Sequence, residues 1–78
     1  MNEFAVEDLP LSARFILNIL ESNGWTTQKE IISSTALSTR TVKHALKMLR
    51  RSELIVERRN LGDIRRKLYR INIGENRQ

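Results

Sequence analysis

Two helix starts stand a few residues apart in the middle of this chain, and that pairing limits the fold more than any other feature. Thr27-Gln28-Lys29-Glu30 is a T-x-x-E capping box, in which the threonine oxygen accepts from a free helical amide and the glutamate reaches back. It opens a short helix with Ile31 and Ile32 on the buried side, ending near Thr35. Ala36-Leu37 then forms a tight turn. Ser38 caps the next helix, in which Val42, Ala45, Leu46 and Leu49 recur at i, i+3, i+4 and i+7, an amphipathic period. Two short helices joined by such a turn make a helix-turn-helix.

The flanks read as follows. Residues 1–10 form an extended arm with Phe4, Val6 and Leu9 as anchors, since Pro10 biases Leu9 away from helix. Ser12 is expected to cap a helix running to Asn23, with Ala13, Ile16, Leu17 and Leu20 on one face and Gly24 as its stop. Phe15 and Ile19 widen that face. Core packing is the preferred explanation, and a homodimer through Phe15, Ile19 and the arm is the other. Trp25-Thr26 is a very short extended piece. Beyond Ser52-Glu53, the run Leu54 to Arg59 reads as a strand, Asn60-Leu61-Gly62-Asp63 as a turn, and Lys67 to Ile73 as the returning strand. Tyr69, Ile71 and Ile73 share one face of that strand. Residues 74–78 are polar and read as a flexible tail. The fold class expected is mainly α with a small β-hairpin. It is a winged helix-turn-helix over residues 11–73, with three helices and a two- or three-stranded antiparallel wing sheet.

Several functions are excluded. The chain has 78 residues, enough for one domain. It has no cysteine, which removes disulfides, thiolate metal sites and thiol nucleophiles. His44 is the only histidine, so neither a metal cluster nor a serine nucleophile with its base can be assembled. The carboxylates are scattered and form no acid–base pair. The reading is of a protein that is not an enzyme and takes no cofactor. No apolar run approaches the ~20 residues that span a bilayer. The first ten residues carry Glu3, Glu7 and Asp8 without a basic residue, unlike a signal peptide. A cytoplasmic, nucleoid-associated protein is expected.

Charge supplies the positive argument. Residues 1–37 set Arg14 and Lys29 against Glu3, Glu7, Asp8, Glu21 and Glu30, whereas residues 38–78 set twelve Lys and Arg against Glu53, Glu57, Asp63 and Glu75. Positive charge gathered in one half is the footprint of a polyanion binder. From Thr39 to Ser52 there is no acidic residue, although an ordinary wet helix face mixes signs. With Val42 facing the core, Arg40, His44, Lys47 and Arg51 project outward, flanked by Thr41 and Lys43. This recognition helix, 39–52, suits the major groove of duplex DNA: Arg40 can pair with guanine, His44 can meet a base edge, and Ser38, Thr39 and Thr41 offer hydroxyls. Thr27 and Gln28 lie at a helix start that suits a backbone phosphate. The wing, 58–67, concentrates Arg58, Arg59, Arg65, Arg66 and Lys67 on one ribbon. An arginine at its tip fits a narrow minor groove. Asp63 either orients Arg65 through charge-assisted hydrogen bonds or serves the turn.

From Leu11 to Asn72 the chain resembles the winged-helix domain of MarR-family transcription regulators. Leu37-Ser38-Thr39-Arg40-Thr41-Val42 is similar to the family's entry into the recognition helix, and Leu54-Ile55-Val56-Glu57-Arg58-Arg59 to its first wing strand. Gly62-Asp63-Ile64-Arg65 with Tyr69-Arg70-Ile71-Asn72 resembles its D-x-R-x-x-x-V-x-L-T wing signature. The resemblance implies that Arg65 is the minor-groove arginine, that Asp63 positions it, and that Arg40, Thr41 and His44 are among the base-reading positions. Glu53 departs from the family's glycine, and Tyr69 and Asn72 from its valine and threonine. Family members carry further helices that form a dimer and line an effector pocket, and those properties do not carry over. The function expected is a DNA-binding transcriptional regulator. The alternatives are a protein-interaction winged helix in a larger assembly and an architectural protein that binds nucleic acid without sequence preference.

Overall fold

The computed structural model describes residues 9–73 of the chain. Phe4 and Val6 of the expected arm, and the expected tail, lie outside them. The elements are α1 (Leu11–Asn23), β1 (Thr26–Thr27), α2 (Gln28–Ser34), α3 (Thr39–Arg51), β2 (Ile55–Asn60) and β3 (Asp63–Ile71). The three strands form one antiparallel sheet in the order β1-β3-β2. This is the winged helix-turn-helix architecture. No helix among the described residues is long and apolar enough to cross a membrane.

The core is made where the three helices meet the inner face of the sheet. Ala13, Ile16 and Leu20 of α1, Ile31 of α2, and Val42, Ala45, Leu46 and Leu49 of α3 are buried together with Ile55 and Tyr69 of the sheet. Leu9 is buried with them, so the anchor expected at that position is present. Each fully buried aliphatic side chain contributes about 1.5–3 kcal/mol, which fixes the outward face of α3 by fixing its inward one.

Local chemistry sets the ends of the elements. Thr27 and Glu30 form the reciprocal capping box, and Ser38 Oγ accepts the Thr41 N–H at 3.1 Å. Ser12, however, is not the cap of α1. Pro10 occupies that position with φ −57°, and its carbonyl accepts the Arg14 N–H at 3.1 Å. Proline's fixed φ sets the entry into the helix without a side-chain acceptor. At the far end of α3, Glu53 takes φ +62°. The Leu54 N–H bonds to Leu49 O and the Glu53 N–H to Arg50 O, each at 3.0 Å. That pair of bonds is the Schellman stop, which glycine usually serves. The turn is therefore built as a glycine would build it, with a non-glycine residue in the left-handed region. Asn72 braces it, its Nδ2 donating to Glu53 O at 2.9 Å and its N–H to Leu54 O at 3.0 Å.

Three expectations about boundaries and burial are corrected. The first strand is Thr26–Thr27 rather than Trp25-Thr26, because it pairs as Thr26 with Tyr69 and Thr27 with Leu68. The returning strand runs from Asp63 to Ile71 rather than from Lys67 to Ile73. Asn60 pairs with Asp63 across a two-residue turn, so pairing starts at the tip, and Ile73 is left 65% exposed beyond the strand. Phe15 does not pack in the core. It is 52% exposed, near Leu11 at 68%. Leu11, Phe15 and the half-buried Ile19 follow an i, i+4, i+8 line along α1, a different stripe from that of Ala13, Ile16 and Leu20.

Candidate nucleic-acid interface

The helix-turn-helix and the hairpin meet at an open groove. Thr27, Gln28 and Lys29 form one rim at the start of α2. Lys43, Leu46, Lys47 and Arg50 come from α3, Glu57 from β2, and Arg65, Arg66, Lys67 and Tyr69 from β3. Thr39, Arg40, Lys43, His44 and Lys47 line a shallower concavity on the outward side of α3. Lys43 and Lys47 belong to both, so the two surfaces are continuous. Cations that lie far apart in sequence are thereby gathered on one side of the molecule.

The wing owes its shape to a register shift between Arg59 and Asn60. Arg59 pairs with Lys67 and Asn60 with Asp63, which leaves residues 64–66 of β3 opposite no residue of β2. Such bulges bend a ribbon and re-aim side chains, and here the bulge carries Arg65 and Arg66. Asp63 holds it. One carboxylate oxygen accepts the Arg65 N–H at 3.1 Å and lies 3.6 Å from Arg65 Nε, while the other lies 3.2 Å from Arg66 Nε. At the tip, Asn60 Oδ1 accepts the Gly62 N–H at 2.9 Å, the side-chain turn that Asn favours. The Arg65 side chain remains 89% exposed, oriented at its base and open at its end.

The remaining candidates divide. Arg40, Lys43, His44 and Lys47 stand exposed on α3. The hydroxyls of Ser38 and Thr41 are bonded to each other at 3.0 Å within the helix cap. Thr27 is similarly engaged: its N–H donates to Glu30 Oε1 at 2.8 Å and its Oγ1 accepts the Glu30 N–H at 3.1 Å. The Thr27 N–H bond first, and then a bond donated by Thr27 Oγ1 to Glu30 Oε1 at 3.1 Å, hold the Glu30 carboxyl below its ordinary pKa. Arg59 stands exposed opposite Lys67 on the ribbon. Arg58 leaves the group. Its guanidinium lies 4.3 Å from the centre of the Trp25 ring, with that of Arg70 at 4.7 Å, a cation–π arrangement. Strand alternation sets Arg58 on the sheet face opposite to Glu57.

Three groove residues escaped the sequence reading. Lys29 directly follows Gln28 at the rim. Arg50, rather than Arg51, joins the groove, and the i, i+4, i+7 spacing of Lys43, Lys47 and Arg50 was the signal for it. Glu57 had no sequence signal. Its carboxylate lies 3.3 Å from Arg50 Nε and 3.5 Å from Lys67 Nζ. The buried Tyr69 beside it has a raised pKa, chiefly through burial, then through the charge of Glu57, with Arg50 acting the other way.

A three-helix domain with this groove and bulged wing defines a class, the winged helix-turn-helix, and sequence comparison agrees. Residues 14–56 match the family described as winged helix-turn-helix DNA-binding; the chain belongs to that family. It is related to the MarR-type regulators through similar solved structures. A ZitR variant from Lactococcus lactis is 30% identical, with a TM-score of 0.77 over 91% of this chain and 47% of that one. A MepR variant from S. aureus is 25% identical, with a TM-score of 0.79 over 86% and 50%. BpsR of Bordetella bronchiseptica, whose DNA binding is regulated by 6-hydroxynicotinic acid, shares the fold at 19% identity, with a TM-score of 0.75 over 87% and 52%. The chain thus spans about half the length of these structures. No curated protein matches the sequence.

Proposed function

We propose that this domain is the DNA-reading part of a transcriptional regulator, with α3 in the major groove and the bulged wing against the neighbouring minor groove and backbone. The observation that carries the reading is the convergence of Lys29, Lys43, Lys47, Arg65 and Arg66 on one groove from three separate elements. Arg40 and His44 face base edges from the outward side of α3, where bidentate arginine contacts distinguish guanine. Lys43, Lys47 and Lys29 meet phosphates, which set position and affinity rather than sequence. Arg65, held at its base by Asp63, enters the minor groove, where a narrow width strengthens the negative potential. Thr27 and Gln28 lie against the backbone at the rim. The absence of acidic residues along α3 weighs against a protein partner for this face. The stripe of exposed Leu11 and Phe15 with half-buried Ile19 is where a second copy would dock, pairing two half-sites as such regulators commonly do.

Arg65→Ala tests the wing. The expected result is a loss of about 1–3 kcal/mol in duplex binding, measured by fluorescence anisotropy, with the thermal midpoint of unfolding nearly unchanged because the side chain is exposed. Full binding by a folded variant would remove the wing from the mechanism.

A further inference from the structure

Among the described residues that line the groove, Glu57 is the only carboxylate, facing Lys29, Lys43, Lys47, Arg65 and Arg66 as well as its two close partners. Its side chain is 20% exposed, with Oε1 3.3 Å from Arg50 Nε and Oε2 3.5 Å from Lys67 Nζ. Oε1 is closed off from solvent and has no well-directed hydrogen bond, so attraction to Arg50 acts through charge. The strand register sets Glu57 opposite the buried Tyr69, which keeps the carboxylate at the groove floor. Removing a carboxylate from water is unfavourable, and ion pairs offset this only in part. A negative charge in such a position also repels the phosphates the groove is otherwise suited to receive.

We infer that Glu57 tempers backbone affinity: it engages Arg50 and Lys67 as a built-in rival of DNA phosphate and so weakens binding to arbitrary duplexes. The inference rests on the duplex reading above. In the free protein one carboxylate is shared by two cations, which leaves the trio a net charge of +1 rather than +2, and a phosphate must compete with that carboxylate to engage either of them. Among the described groove cations, Arg65 and Arg66 share Asp63 at the wing, while Lys29, Lys43 and Lys47 stand without a carboxylate within ion-pair distance and carry the phosphate contacts. Weaker phosphate attraction lowers the sequence-independent part of binding, which is the same on every duplex.

The test compares wild type with Glu57→Gln, which keeps the size and removes the charge, on a labelled random-sequence duplex across a salt series. Each cation released to phosphate steepens the log–log salt slope by about 0.9 and strengthens binding roughly tenfold near 0.1 M salt. The expected result is therefore tighter binding by Glu57→Gln with a slope steeper by about one unit. Equal or weaker binding at an unchanged slope, in a variant whose Trp25 emission remains native, overturns the inference; a purely structural pin would give that outcome. A second variant stands independently of whether Glu57→Gln folds. Lys67→Gln in the wild-type background should lower the slope by less than about half a unit, whereas Lys47→Gln lowers it by about one. Equal losses would mean that Lys67 already meets phosphate, and the inference fails. Absence of duplex binding by wild type at low salt overturns the DNA reading itself, and this inference with it.

Discussion

Raising salt from about 50 to 200 mM is expected to weaken duplex binding by a factor of roughly 10³. The size follows from the groove. Lys29, Lys43, Lys47, Arg65 and Arg66 line it, and Arg40 stands beside it on α3. Arg58 is committed to Trp25, and Arg50 and Lys67 to Glu57. Roughly six cations brought against the duplex, whether at phosphates or in a groove, neutralise about six phosphate charges and give a log–log slope near −5, so the fall is steep without every cation of the C-terminal half contributing. Anisotropy of a labelled duplex over a salt series measures it. A flat response would point instead to an uncharged or mixed-sign protein partner for α3.

Ile31→Ala is expected to cost about 2–5 kcal/mol of folding stability, a large share of the ~5–15 kcal/mol that holds a small domain together. Ile31 is completely buried and is the only buried residue of α2. Truncation removes the side chain that fastens α2 to the core and leaves a cavity beneath α3. Urea denaturation followed through Trp25, the single tryptophan, reads the effect as a lowered midpoint. Gln28→Ala, at the half-buried groove rim, should change stability by less than about 0.5 kcal/mol. A small loss for Ile31→Ala would mean that α2 is held mainly by its capping box, and the helix-turn-helix would then be a looser unit than the burial implies.

The sequence was most informative where structure is local. The caps at Thr27 and Ser38 act over three residues, so their geometry follows from their spelling. The inward stripe of α3 was equally clear, because a regular helix converts spacing directly into facing. What required the fold was everything that depends on pairing between distant segments. The bulge that carries Arg65 and Arg66 arises from a register offset between β2 and β3, and no local pattern encodes it. The partnership of Arg58 with Trp25 requires β1 to lie beside β3 and β3 beside β2. Glu57 read as an ordinary strand residue until that sheet was set against the last turn of α3. Phe15 shows the opposite failure: its helical spacing looked like core, yet the buried stripe of α1 is narrower than its apolar content. Pro10 replaced Ser12 as the cap because backbone geometry alone can begin a helix.

In the proposed complex α3 and the wing present one continuous surface to the duplex. Amide chemical-shift mapping during titration with DNA tests it most directly. Shifts are expected to concentrate at Gln28 and Lys29, from Thr39 to Lys47, and from Asp63 to Lys67, with the outward stripe of Leu11 and Phe15 unmoved. Shifts centred on α1, or on the sheet face around Trp25 and Arg70, would contradict it.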